Sequence, residues 1–342
     1  MKIAVLCGGY SRERDVSAST GTGVARALRS RGHRVALVDP FLGLDDMPED
    51  MDALFTTEDR DELFSVREME PDLEALRAKR PGRQMIGPGV LALCEHADVA
   101  FLALHGGDGE NGRLQATLDM YGIPYTGSGY LGSAIAMDKE VSKNMFRHCG
   151  VPTAESVVLR RGEEAKAFPL PCVVKPCSGG SSVATAIVRE PGELAAALQA
   201  AFDCGEKVLV EQYIAGRELT VGVMDGEAMP VIEIRPLCGF YDYKNKYQAG
   251  LTEEICPAPI SSEDTARVQK LAVEACAALH VEAYGRADFL MDEEGRLFCL
   301  EVNTLPGMTP TSLIPQMAAA MGMDYGQLCE KIIEVSLRKY AI

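Results

Sequence analysis

The sequence predicts an α/β protein, with an N-terminal doubly wound domain followed by two α+β lobes. Three stretches carry that expectation. The first is KIAVLC (2–7), a buried parallel-type strand. It runs through GGYSRERDVS into a helix over roughly 15–31 and then the strand HRVALVD. This β–loop–α–β opening implies a parallel sheet whose ligands sit at the carboxyl ends of its strands. The second is PCVVKPCSGGSSVATAIV, a strand, a Gly/Ser loop and a second strand beginning near Val183. The third is a hairpin within 285–303: GRADFLM, a DEEG turn, and RLFCLEVN returning. A chain of 342 residues is expected to divide into two or three domains.

The remaining elements follow in order. Residues 41–88, rich in Asp, Glu and Pro with a helix near 71–80, read as a surface excursion without chemistry. The strand DVAFLAL (98–104) ends in HGGDGENGRLQ, so His105 stands at a strand's carboxyl end. The glycines after it let a ligand approach the backbone. Leu114 and Gln115 begin the next helix. GSGYLG (127–132) fits GxGxxG, but it follows only a short IPYT run and lacks the acidic residue expected about 20 positions later, so it reads as a hinge. A helix over 138–149 starts with Lys139, and strands at 156–160 and 207–214 flank the flap and a helix over 192–202. Residues 217–234 read as two antiparallel strands around DGEA. CGFYDYKNKYQAG (238–250), with three tyrosines, Lys244 and Lys246, is long enough to act as a lid that orders over a ligand. Helices over 262–280 and near 312–322 and 324–340 complete the chain.

The chemistry concentrates on the hairpin and the flap. Glu301 and Asn303 are two apart, so they share a face of a strand, and the turn brings Asp288 opposite residues 299–301 with Arg286 beside it. Two carboxylates this close repel unless a cation joins them, and no lysine on the hairpin supplies one. Few, hard oxygen ligands suit Mg²⁺ better than Zn²⁺. The same letters also describe a hairpin whose polar residues face water. The flap's N–H groups can wrap phosphates, with charge from Lys139 and Lys175; a hairpin tip with solvated lysines fits the letters too. Residues Glu211 to Ile214 could read a purine edge through backbone groups, and Glu13 lies in the first loop.

Composition excludes several classes. A net charge of −16 argues against nucleic acid or an anionic membrane as partner, so an anionic ligand needs a local cluster of Lys and Arg. No apolar run approaches the ~18 residues of a membrane span, and the start is too short in apolar residues for a signal peptide. The 11 cysteines are scattered without CxxC pairs, which fits reduced thiols in a cytoplasmic protein. The five histidines form no zinc pattern, and no GxxxxGK[ST] phosphate loop occurs.

Taken together, GGYSRERDVS, LHGGDGENGRLQ, YTGSG with MDK, VVKPCSGGSSV, FYDYKNKY, GRADF and EVNTLPGMTPTSL resemble, in order, the motifs of the D-alanine–D-alanine ligases, of the ATP-grasp superfamily. The likeness runs through nearly the whole chain apart from 41–95. It implies a pre-ATP-grasp domain over 1–128, a small ATP-grasp lobe over 129–213, and a C-terminal lobe with the metal and catalytic site over 214–342. It further implies two Mg²⁺ (or Mn²⁺) at Asp288, Glu301 and Asn303, with Glu301 bridging. Lys139, Lys175, Lys246 and the flap residues Ser181 and Ser182 would meet ATP phosphates. Glu218 would meet the ribose, and Glu211, Gln212, Tyr213 and Ile214 the adenine. Glu13 would bind the ammonium of the first D-alanine, linked through Ser181 and Tyr247, which would shut the lid. Arg286 would steady an oxyanion. Ser312 and Leu313 N–H would hold the second D-alanine's carboxylate, with His105 and Gly307 also lining the substrate site. A homodimer is implied as well. One departure stands out: the flap reads CSGGSSVA, where the family commonly has an acidic residue before GSSVG, and Ala184 is expected on the strand after the flap.

The resemblance implies ATP-dependent joining of two D-alanines through an acyl phosphate, for peptidoglycan precursor synthesis. D-lactate or D-serine as second substrate, a nucleotide-binding module without catalysis, and a GxGxxG dehydrogenase remain alternatives from sequence.

Overall fold

The structure is a computed structural model that describes residues 1–44, 46, 48–59, 71–163, 168–180, 184–236 and 252–341. Three sheets organise those residues. The first is parallel, in the order β2-β1-β3, from β1 (Lys2–Leu6), β2 (Arg34–Val38) and β3 (Val99–Leu102). Its strands are almost wholly buried, as a sheet covered on both faces requires. Helix α1 (Arg14–Ser30) joins β1 to β2, matching the expected opening within a residue or two. Between β2 and β3 lie the short helices α2 (Leu73–Lys79) and α3 (Val90–Glu95). After β3 come α4 (Gly107–Glu110), α5 (Arg113–Met120), α6 (Tyr130–Met137) and α7 (Lys139–Cys149). The glycine-rich segment at 127–132 therefore runs directly into a helix.

The second sheet is antiparallel, in the order β4-β7-β5-β6: β4 (Ser156–Arg160), β5 (Cys172–Pro176), β6 (Ala186–Val188) and β7 (Lys207–Gln212). Helix α8 (Leu194–Asp203) covers it, and Leu159, Cys172, Val174, Val208 and Val210 form a core of its own with Ala197 and Ala201. Ala184 is not on a strand. It stands at φ 53° before β6, in left-handed space that a Cβ disfavours.

The third sheet is also antiparallel, in the order β10-β9-β8-β11-β12: β8 (Gly216–Met224), β9 (Glu227–Pro236), β10 (Thr252–Ile255), β11 (Tyr284–Asp292) and β12 (Leu297–Asn303). Alternation sorts its faces. Leu219, Val221, Ala287, Phe289 and Met291 pack beneath α9 (Ser262–Ala278), while Glu218, Thr220, Arg286 and Asp288 turn the other way. Helices α10 (Leu313–Ala320) and α11 (Tyr325–Leu337) close the chain.

The first and third sheets share a core. Ile3, Val5, Val24, Leu28 and Phe101 belong to one apolar cluster with Ile232, Tyr284, Ile314, Met317, Leu328 and Ile332. The middle sheet packs separately, so the cleft between it and the rest is where a ligand can enter.

Candidate active site

A cavity of about 890 Å³ opens where the three sheets meet. Tyr10, Ser11, Glu13 and Gly106 form its wall on the N-terminal side. Lys139, Lys175, Gly179, Gly180 and Glu211–Ile214 line it from the middle sheet, and Glu218, Asp288, Leu290 and Glu301 from the third.

The hairpin builds one side. Arg286 pairs with Asn303 and Asp288 with Glu301 across β11 and β12, so all four side chains share a face. A register shift follows at Asp288/Phe289, a bulge of the kind that re-aims a side chain beside a site. Arg286 Nε and Nη2 donate to Asp288 Oδ1 and Oδ2 at 2.9 and 2.8 Å. Thr220 Oγ1 donates to Asp288 Oδ1 at 2.6 Å, and Asn303 Nδ2 lies 3.3 Å from Oδ2. Glu301 has its own cation, since Lys139 Nζ reaches Oε2 at 3.2 Å. The sequence placed no lysine on the hairpin to relieve these carboxylates. The structure supplies one from α7, a long-range partner that hairpin letters cannot disclose.

Helix α7 is positioned by its cap. Asp138 accepts from the N–H groups of Glu140 and Val141, and Lys139 N–H donates to Cys177 O at the base of the flap. Lys139 Nζ also donates to Gly179 O at 2.8 Å, so one side chain links flap and hairpin. Lys175, on β5, is ion-paired to Glu211 on the adjacent β7. Glu211 is 2% exposed, so its side chain is a buried counter-ion rather than part of an open edge. The backbone next to it is engaged too: Gln212 N–H donates to Glu155 O and Tyr213 N–H to Pro171 O.

Glu13 stands at the N-cap position of α1 without a capping bond from its side chain, and its backbone N–H donates to Ser11 Oγ. Its carboxylate lies over Gly106, where an added Cβ would stand 2.5 Å from Oε2; with φ +66° there as well, the position requires glycine. On the far side the would-be Cβ of Gly180 is 3.6 Å from the same oxygen, so the flap approaches Glu13. His105 is buried between elements. Nδ1 donates to Leu305 O at 3.1 Å, and Nε2 accepts from Thr20 Oγ1 at 3.0 Å. Burial lowers its pKa, against the pull of Glu13. With both nitrogens occupied, His105 fastens the 305 loop to β3 and α1 rather than presenting a free edge.

Ser312 is the N-cap residue of α10, and its N–H already donates to Thr309 O at 2.8 Å. Its Oγ accepts from Thr309 N–H at 3.0 Å and lies 2.9 Å from where a Cβ on Gly307 would be. Leu313 opens the helix, whose first N–H groups lack intrahelical partners and suit an anion. The predicted Ser181, Ser182, Lys246 and Tyr247, with the whole of the 238–250 loop, lie outside the described residues.

The comparisons agree along the chain. Residues 2–128 match the family model described as D-ala D-ala ligase N-terminus, and 145–334 the one described as D-ala D-ala ligase C-terminus. The D-alanine–D-alanine ligase of Pediococcus pentosaceus is 44% identical over 341 residues, 97% of each chain. That of Lacticaseibacillus casei is 42% identical over 347 residues, covering 100% of this chain and 97% of that one. The chain belongs to the D-alanine–D-alanine ligase family. A Bacillus anthracis D-alanine–D-alanine ligase solved in complex with ATP superposes with a TM-score of 0.77 at 31% identity, covering 99% of this chain and 98% of that one. The ATP-grasp fold expected from sequence is thus the fold found.

Sequence reasoning missed three features of this ligase-family site. Glu110 Oε2 accepts from Gly106 N–H at 2.9 Å, and burial together with Glu13 raises its pKa to about 7. Its place in HGGDGENG was visible, but not its nearness to Glu13. Lys143, one turn after Lys139, is 1% exposed and pairs with Glu211; an i, i+4 lysine pair on a helix was the available signal. The 41–88 excursion also reaches the site: Leu73 lines the cavity, and Arg77 stacks over Tyr10 and Phe41.

Proposed function

We propose that this protein joins two D-alanines at the expense of ATP, through a D-alanyl phosphate. The observation that supports it most is the convergence on one cavity of Glu13, the flap, Lys139 and Lys175, and the Asp288/Glu301 hairpin.

The donor set fits Mg²⁺ or Mn²⁺. Asp288, Glu301 and Asn303 offer hard oxygens on one face. Among the described residues no three His, Cys, Asp or Glu side chains gather into a metal-binding group, so Asp288, Glu301 and Asn303 would hold the ion as a small set of protein ligands. An ion held by these residues would supply neutralisation of the charge on a transferring phosphoryl group.

The protein's own groups do the rest. Glu13 holds the first ammonium and so orients that substrate's carboxylate towards the nucleotide. Lys139 and Lys175 turn from their carboxylate partners to the phosphates, and flap N–H groups close over them. The carboxylate oxygen attacks the γ-phosphorus, ADP leaves, and the amine of the second D-alanine attacks the acyl carbon. Arg286 faces the oxyanion that forms, and the N-terminus of α10 holds the second carboxylate. Phosphate then departs with one oxygen of the first carboxylate. Glu218 on the ribose, the Glu211–Ile214 strip on the adenine, and Ser181, Ser182, Lys246 and Tyr247 as closing groups belong to this reading. So do the domain limits at 128/129 and 213/214.

The same reading includes a cytoplasmic homodimer. No described helix is long and apolar enough to cross a membrane, and the ten described cysteines are free. Exposed Met120, Tyr121, Tyr130 and Leu131 at the end of α5 and the start of α6 offer apolar surface to a second copy. Sedimentation would test the dimer. The function is tested by identifying products from ATP with D-alanine alone, and with D-serine or D-lactate added. D-alanyl-D-alanine with ADP and phosphate is expected; a depsipeptide as main product, or no turnover with D-alanine, would overturn it.

A further inference from the structure

The cations beneath the nucleotide end of the cavity are not all accounted for by the proposed reaction. Lys143 does not line the cavity. It is 1% exposed, on the face of α7 one turn beyond Lys139. Its Nζ donates to Thr153 Oγ1 at 2.7 Å and lies 2.8 Å from Glu211 Oε2, while Lys175 grips Glu211 Oε1 from the other side. Thr153 in turn donates to Cys299 O on β12, so the cluster touches the third sheet. One buried carboxylate thus stands between two lysines, and the cluster carries a net charge of +1. Burial would push Glu211 up, but Lys175 and Lys143 outweigh it and hold it at about 2. Burial likewise lowers the Lys143 pKa, with Glu211 opposing.

We infer that Lys143 is a positioning residue for the nucleotide: it keeps Glu211 compensated, so that Lys175 can leave Glu211 for a phosphate. The inference rests on the reading that Lys175 meets a phosphate. Lys175 is held by Glu211 before ligand arrives. Moving it to a phosphate would strand a buried anion if no second cation were present, and a stranded buried charge is costly. Lys143 removes that penalty. It cannot reach the ligand itself, because its ammonium is fully committed beneath the sheet. Lys139 and Lys143 divide the work along one helix face: Lys139 faces Glu301 on the hairpin, and Lys143 faces Glu211 in the middle sheet.

The test is a charge cycle read by ATP binding and by KM for ATP and D-alanine. Lys143→Met takes the cluster from +1 to 0 and ties Lys175 to Glu211. It should weaken ATP binding and raise KM for ATP about tenfold, with KM for D-alanine changed less than about twofold. Lys143→Met with Glu211→Gln restores +1 and leaves no stranded anion. The reference is Glu211→Gln alone, which carries whatever Glu211 itself contributes to the adenine: adding Lys143→Met to Glu211→Gln should change ATP affinity less than about threefold, against about tenfold when Glu211 is present. If Lys143 served only packing, Lys143→Met would cost about as much with Glu211→Gln as without it, and the inference falls. Should Lys143→Met fail to fold, Lys143→Gln takes its place in the same cycle: a cost in ATP affinity that disappears when Glu211 is replaced by Gln supports the inference, and one that persists overturns it. Lys175→Met separates the two readings. If that variant keeps ATP affinity, the phosphate role of Lys175 fails; if it loses affinity while the cycle shows no recovery, only the role of Lys143 fails.

Discussion

Two clusters of buried charge stand at and behind the walls of the same cavity with opposite balances. At the middle sheet, Glu211 is outnumbered by Lys143 and Lys175. Where the first and third sheets meet, Glu13, Glu110, Asp288 and Glu301 outnumber Arg286 and Lys139. The carboxylates differ accordingly: Lys175 and Lys143 hold Glu211 down at about 2 against its burial, whereas burial first and Glu13 second push Glu110 up to about 7. A cavity with surplus cations at one end and surplus anions at the other is suited to a ligand set of matching polarity. Phosphates fit the first end; ammonium groups and a divalent ion fit the second. In the proposed reaction that polarity, more than shape, is what would sort the ligands to their ends.

The largest predicted effect comes from cutting the anionic end. Glu301→Ala should abolish ADP and phosphate release, at least about a hundredfold, while circular dichroism and the melting transition stay near those of the parent. Near-normal turnover would remove the metal assignment. Next comes Arg286→Met, which should lower kcat by about 10²–10³-fold with little change in KM for ATP, the loss expected for one oxyanion donor. An equal rise in KM for ATP would instead place Arg286 on the nucleotide.

Stability against pH sharpens the same contrast. Glu211 has a folded pKa of about 2 against an ordinary 4.5, so its contribution is present above about 4.5 and lost as pH falls towards 2. Glu110 is raised from 4.5 to about 7, so its contribution is present below 4.5 and lost as pH rises through 7. The windows do not overlap. Melting curves across pH should show Glu110→Gln flattening only the decline between about 4.5 and 7. A profile unchanged in that window would mean that Glu110 is not raised. The smallest effect belongs to the flap: Ala184→Gly removes a Cβ from φ 53° and should stabilise by about 0.5–1 kcal/mol in a denaturant titration. Destabilisation would show that the turn tolerates alanine without strain.

The fold was legible where periodicity is local. The β–α–β opening, β4, the β8/β9 pair and the hairpin register of Asp288 with Glu301 follow from alternation and turn letters. What escaped depends on distance in sequence. The sharing of one core by the first and third sheets, through α11 against α1, leaves no local signature. Helices α3 and α6 are short, and α6 begins in glycines that read as a hinge. β10 was missed because TEEI, four residues long, pairs only at the sheet edge. At the site, hard-oxygen donors could be named from the hairpin alone. Their partners Lys139 and Thr220 come from elsewhere in the chain, and so does the Glu13–Glu110 proximity.

In the proposed reaction the decisive step is attack by a carboxylate oxygen of D-alanine on the terminal phosphorus of ATP. D-alanine labelled with ¹⁸O in both carboxylate oxygens tests it, with the released phosphate analysed by mass. One ¹⁸O in each phosphate, with ADP as the nucleotide product, is predicted. Unlabelled phosphate, or release of AMP, would contradict it.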